Sequence, residues 1–89
     1  MTLGEYLLKI REDRGLSLRA VSEKSGISIA EISRLENGKR LRPSPEALKA
    51  LAKALVVDYS DLMKLAGFSE EVYEEGKTFE KVFKNLETG

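Results

Sequence analysis

The chain has 89 residues, 42% of them hydrophobic and 34% charged, which is the composition of one small globular domain and excludes wholesale disorder. It contains neither cysteine nor histidine, so disulfides, thiolate or imidazole metal sites, cysteine nucleophiles and His-based general bases are excluded. The formal charge is zero, yet residues 1–42 hold nine Lys/Arg against six acids (net +3), and residues 43–89 hold six against nine (net −3).

Apolar residues recur at helical spacing with no strand-like alternation, which predicts an all-α fold. Leu3, Leu7 and Ile10 share one stripe of a first helix over 3–14, which Gly15 stops. Ser17 caps a second helix over 18–25, with Leu18, Val21 and Ser22 turned inward and Gly26 at its end. Ser28 and Glu31 match the S-x-x-E capping box of a third helix, in which Ile29, Ile32 and Leu35 precede the closing Asn37-Gly38. A basic loop from Lys39 to Arg42 follows. Ser44-Pro45-Glu46 opens a fourth helix with a cap, a proline at the first position and a carboxylate favourable to the helix dipole. Leu48, Leu51, Ala52 and Leu55 form its apolar stripe. Asp58 is expected to cap a fifth helix reaching Ala66, with Gly67 as its stop.

The remaining segment carries all three phenylalanines, Phe68, Phe79 and Phe83. Phe79, Val82, Phe83 and Leu86 fall at i, i+3, i+4 and i+7, one apolar stripe of a further helix. The predicted organisation is therefore a domain over residues 1–67 and a short helical C-terminal extension over 68–89. No apolar run approaches the roughly 18–20 residues of a membrane span, and the opening MTLGEYLLKIRED lacks a signal-peptide pattern. A cytoplasmic protein is expected.

Two short helices joined by a glycine turn, with basic residues just beyond the second, have the form of a helix-turn-helix. In that arrangement the second helix lies in the roughly 12 Å wide major groove while the first braces it. A generic helical hairpin has the same outline, and spacing alone does not separate the two. The residues carry more. Gly15-Leu16-Ser17-Leu18, the run from Val21 to Ser28, and ISRLENGKR from Ile32 to Arg40 with Pro43 beyond resemble the Xre or lambda-repressor/Cro-like family. The resemblance covers about residues 3–66. It implies a five-helix all-α domain that binds double-stranded operator DNA sequence-specifically, usually as a homodimer. No cofactor and no metal are expected.

By the same resemblance, an arginine of the first helix pairs with the glutamate before the glycine, and Arg11 and Glu36 occupy those positions. Ser17, Asn37, Lys39, Arg40 and Arg42 match places where phosphates are gripped; for Arg42 a solvated basic loop is the equal alternative. Each neutralised phosphate adds about 0.9 to the salt slope. Base readout falls to Ser28, Ile29, Ala30, Glu31, Ser33 and Arg34, and here the chain departs from the family. Leu18 stands where many members have glutamine. Ile29 and Ala30 can only pack on a thymine methyl, Glu31 closes the capping box or accepts from a cytosine amino group, and Arg34 alone can be bidentate to guanine O6 and N7. Modest direct readout helped by DNA shape is expected.

Phe68, Phe79, Val82, Phe83 and Leu86 are expected to form a dimer contact, with folding back onto the domain as the alternative. An enzyme is not expected. Glu70-Glu71 and Glu74-Glu75 are adjacent and point about 100° apart on a helix, and Tyr6, Tyr59 and Tyr73 have no base nearby. The rival reading is a protein-interaction module, an antitoxin or anti-regulator of the same fold, whose acidic aromatic tail meets a regulatory protein partner. At this length no separate ligand-sensing domain is expected, which leaves proteolysis, a partner protein or competition at the operator to relieve binding.

Overall fold

The computed structural model describes residues 1–40 and 42–68. Five helices follow one another and no strand occurs among these residues: α1 Leu3–Asp13, α2 Leu18–Ser25, α3 Ile29–Glu36, α4 Pro45–Leu55 and α5 Tyr59–Leu65. Four of the five helix starts are fixed by a hydroxyl. Thr2, Ser17, Ser28 and Ser44 each accept a hydrogen bond from the backbone N–H three residues on, at 3.0–3.1 Å. Such a cap stabilises by about 1 kcal/mol. At α1 the capping box is complete, because the Glu5 carboxylate accepts from the Thr2 N–H at 2.9 Å. That N–H, with the Thr2 hydroxyl, holds the Glu5 carboxyl below its ordinary range.

Two caps differ from the sequence expectation. Ser28 accepts from Glu31 N–H, but the Glu31 carboxylate turns away from the Ser28 backbone towards two arginines. The box at α3 is half formed because a charged partner outcompetes a neutral N–H. Asp58 stands at the cap position of α5 without a side-chain capping bond. Arg14 is the C-cap of α1 and Ala66 that of α5, so these two helices end one residue earlier than expected, and Asn37 closes α3; each helix still contains its whole apolar stripe.

The core gathers one stripe from each helix: Leu3 and Leu7, Val21, Ile32 and Leu35, Leu48, Leu51 and Leu55, and Leu62 with Met63. Each such side chain contributes about 1.5–3 kcal/mol of burial. Helix α1 packs on α3, α2 on both α3 and α4, and α4 on α5. Gly4 permits the first of these contacts. A Cβ there would lie 2.8 Å from the Glu36 carbonyl oxygen and closer still to that of Leu35, so only glycine lets α1 abut the end of α3.

The chain is stitched shut at the other end of α5. Phe68, one of the residues expected at a dimer contact, is half-buried and packs against the domain's core. The Arg42 guanidinium lies 5.4 Å above its ring centroid and donates to the Gly67 carbonyl at 3.0 Å. Phe79, Val82, Phe83 and Leu86 lie outside the described residues.

Candidate nucleic-acid interface

Helix α2 stops at Gly26, which takes the left-handed conformation (φ 78°) and donates its N–H to the Ser22 carbonyl at 2.8 Å. Ile27 then docks on the core, its N–H held by the Ser25 hydroxyl at 3.1 Å. Three residues after α2 ends, Ser28 starts α3 at a new angle. This is the physical content of the turn: one glycine to reverse the backbone, one apolar residue to pin it, one cap to restart it.

Helix α3 has two unlike sides. Ile32 and Leu35 are buried, while Ala30 and Arg34 are exposed and Ser33 is half-buried. At 100° per residue Ala30 and Arg34 share the side turned away from Ile32. Ile29 is 41% exposed, a large apolar side chain left at the edge of that outer side. Among the described residues, Ser28, Ile29, Ala30 and Arg34 are exposed, while Glu31 and Ser33 are half-buried.

The basic loop folds back over the end of this helix. Lys39 and Arg40 both donate their backbone N–H groups to the Arg34 carbonyl, at 2.8 and 3.2 Å. Lys39 and Asn37 remain exposed, and Asn37 donates its amide to the Ser33 hydroxyl at 3.3 Å. Ser17 is exposed at the start of α2, where unpaired N–H groups favour an anion. Ser17, Asn37, Lys39 and Arg40 are thus all open to solvent. Arg42 is engaged elsewhere, with Gly67 and Phe68, which favours a structural role over a phosphate contact.

The Arg11–Glu36 pair fixes the far end of α3. Nε meets Oε2 at 2.7 Å and Nη2 meets Oε1 at 3.1 Å, a two-point contact. Nη1 donates at 3.0 Å to the Leu16 carbonyl in the turn before α2. One guanidinium thereby joins α1, the α1–α2 turn and α3, and its hydrogen bonds to the Glu36 carboxylate raise the Arg11 pKa further.

Two features escaped sequence reasoning. Gly4 could have been flagged as a glycine inside a helix, where it costs about 1 kcal/mol unless something approaches closely. The Glu31 carboxylate bridges Arg34 (Oε1 to Nη1, 3.3 Å) and Arg40 (Oε2 to Nε, 2.6 Å). Its i, i+3 half was readable from spacing, but the contact with Arg40 depends on how the loop folds back.

A family model described as a helix-turn-helix domain matches residues 2–65, nearly all of the described chain. The chain belongs to the helix-turn-helix family of the Xre type. Within the family it is 45% identical over 86 residues to the HTH-type transcriptional repressor RghR of Bacillus subtilis, a match covering 97% of this chain and 64% of that protein. It is 39% identical over 89 residues to RghRB of the same organism, an HTH-type transcriptional regulator, with 96% and 64% covered. DdrOP3 of Deinococcus deserti, another HTH-type transcriptional regulator, is 38% identical over 64 residues, 72% of this chain and 49% of that one. The chain therefore spans less than two thirds of the length of these curated relatives. Among the described residues no helix is long and apolar enough to cross a membrane.

Proposed function

We propose that this helix-turn-helix chain is a sequence-specific DNA-binding transcriptional regulator, a repressor that occupies an inverted-repeat operator as a homodimer. The observation that carries this reading is the outer side of α3, where Ala30 and Arg34 stand exposed, with Ser33 half-buried between them, beside Lys39 and Arg40. The 45% identity to a transcriptional repressor supports the direction of the effect.

In this account α3 enters the major groove and α2 sets its depth by resting Ser17 and its helix N-terminus on a phosphate. Asn37, Lys39 and Arg40 hold the backbone on the other side. Arg34 is the one side chain able to take guanine O6 and N7 together, Ser28 and Ser33 add single hydrogen bonds, and Ile29 and Ala30 pack on thymine methyls. So few polar readers leave a large share of discrimination to duplex shape. Phe79, Val82, Phe83 and Leu86 supply the second copy's contact, which sets two recognition helices about 34–36 Å apart.

Selection of bound sequences from a random duplex pool, followed by sedimentation with and without the selected duplex, tests the proposal. It predicts an enriched two-fold-symmetric sequence and two copies per duplex. An unenriched pool, or one copy per duplex at all concentrations, contradicts it.

A further inference from the structure

We infer that Glu31 is a specificity-determining residue that acts without touching a base, by holding Arg34 and Arg40 until a duplex offers each a better partner. The inference rests on the DNA-binding reading above. One carboxylate serves both arginines, one oxygen each, at 3.3 and 2.6 Å. It is the shielded member of the trio: its side chain is 22% exposed, against 55% for Arg34 and 50% for Arg40. Arg40 follows the C-terminus of α3, yet its side chain runs back along the helix to the first turn, where Glu31 sits. Two of the strongest cations on the proposed interface are therefore partly neutralised by a single anion.

The consequence follows from what replaces that anion. On an arbitrary duplex both arginines find only phosphates, and releasing them leaves the Glu31 charge facing the polyanion unpaired. At a site with a correctly placed guanine, Arg34 exchanges a single 3.3 Å contact with the carboxylate for the two-point O6/N7 pair, which matches its fork geometry. Glu31 thus subtracts more from sequence-independent attraction than from site-specific binding, and widens the ratio between them.

The test compares wild type with Glu31→Gln, an isosteric change that keeps the Ser28 cap, whose donor is the backbone N–H of residue 31. The probes are a mixed-sequence duplex and the best duplex from the selection, each titrated over a range of salt, with thermal melting as the check on folding. The expected result is about 5- to 10-fold tighter binding of Glu31→Gln to the mixed duplex, with a salt slope steeper by about one, and a gain under about twofold on the selected duplex. In an Arg34→Ala, Arg40→Ala background the same substitution should change little, because there is nothing left to release.

An equal gain in that background would show simple repulsion between Glu31 and phosphate and overturn the inference. So would unchanged binding to the mixed duplex, or a new preferred base in a repeated selection, which would make Glu31 a direct base reader. Each of these outcomes leaves DNA binding itself intact. A wild type that binds neither duplex at low salt removes the DNA-binding reading, and this inference with it.

Discussion

Arg11 and Glu36, 25 residues apart in the chain, meet in a two-point ion pair in which the Glu36 side chain is 6% exposed and the Arg11 side chain 16%. A pair this shielded behaves differently from a surface salt bridge. Removing one member strands the other in a place water reaches poorly, which costs about 3 kcal/mol where an exposed pair costs at most about 1. Arg11→Ala and Glu36→Gln should each lower the urea-unfolding free energy by about 2–4 kcal/mol. Arg11→Lys should recover only part of it, since an ammonium cannot span both oxygens and the Leu16 carbonyl. Losses below about 1 kcal/mol would mean the pair is solvated.

Gly4 makes the opposite of the usual helix prediction. Glycine to alanine within a helix normally gains up to about 1 kcal/mol. Here the new methyl would collide with the Leu35 and Glu36 carbonyls, which belong to backbone and cannot swing aside. Gly4→Ala should therefore destabilise, by about 2 kcal/mol or more, and should displace the end of α3 that carries Glu36. A rise in melting temperature would show that α1 and α3 are not in contact at this point.

Val56 closes α4 in the left-handed conformation, at φ 59° and ψ 57°, and the residue is 76% exposed. A β-branched residue there carries about 1–2 kcal/mol of strain and returns little packing for it. Val56→Gly, or Val56→Asn, should raise stability by about 1 kcal/mol in thermal melts, while keeping the Arg14 bond to the residue 56 carbonyl, which is a backbone contact. A loss of stability would mean that the valine side chain is held by something beyond the domain.

These three positions also show where the sequence was legible and where it was not. The caps Ser17, Ser28 and Ser44 and the stripe Leu48, Leu51, Ala52 and Leu55 are local: donor, acceptor and periodicity all fall within one helical turn or one face. They emerged as expected. Arg11 with Glu36 was reached through family resemblance, since no local rule pairs residues so far apart. Gly4, Arg42 on Phe68 and Arg40 on Glu31 were not foreseen, because each depends on two elements that meet only after the chain has folded. Glu31 and Asp58 had the right residue type for a cap, but a stronger partner took the first and geometry denied the second. In the candidate interface, the exposed side of α3 follows from burial of Ile32 and Leu35, whereas the pairing of its charges did not follow from spacing.

Arg34 and Lys39 should differ in kind. Lys39 is exposed and its side chain faces solvent, so Lys39→Ala should weaken binding about equally on every duplex and reduce the salt slope by about one. Arg34→Ala should cost about 1–3 kcal/mol on the selected duplex and relax the preference at one base position. Competition binding against single-base variants separates them. An Arg34→Ala protein that weakens uniformly would demote that residue to a backbone contact.

The central claim is that the uncovered side of α3 is the surface that meets a duplex, and backbone amide chemical-shift mapping during titration with the selected duplex tests it most directly. The account predicts the largest changes at Ala30, Ser33 and Arg34, with a second group at Ser17, Asn37 and Lys39. Changes concentrated around Val56 and Asp61, with those residues silent, would contradict it.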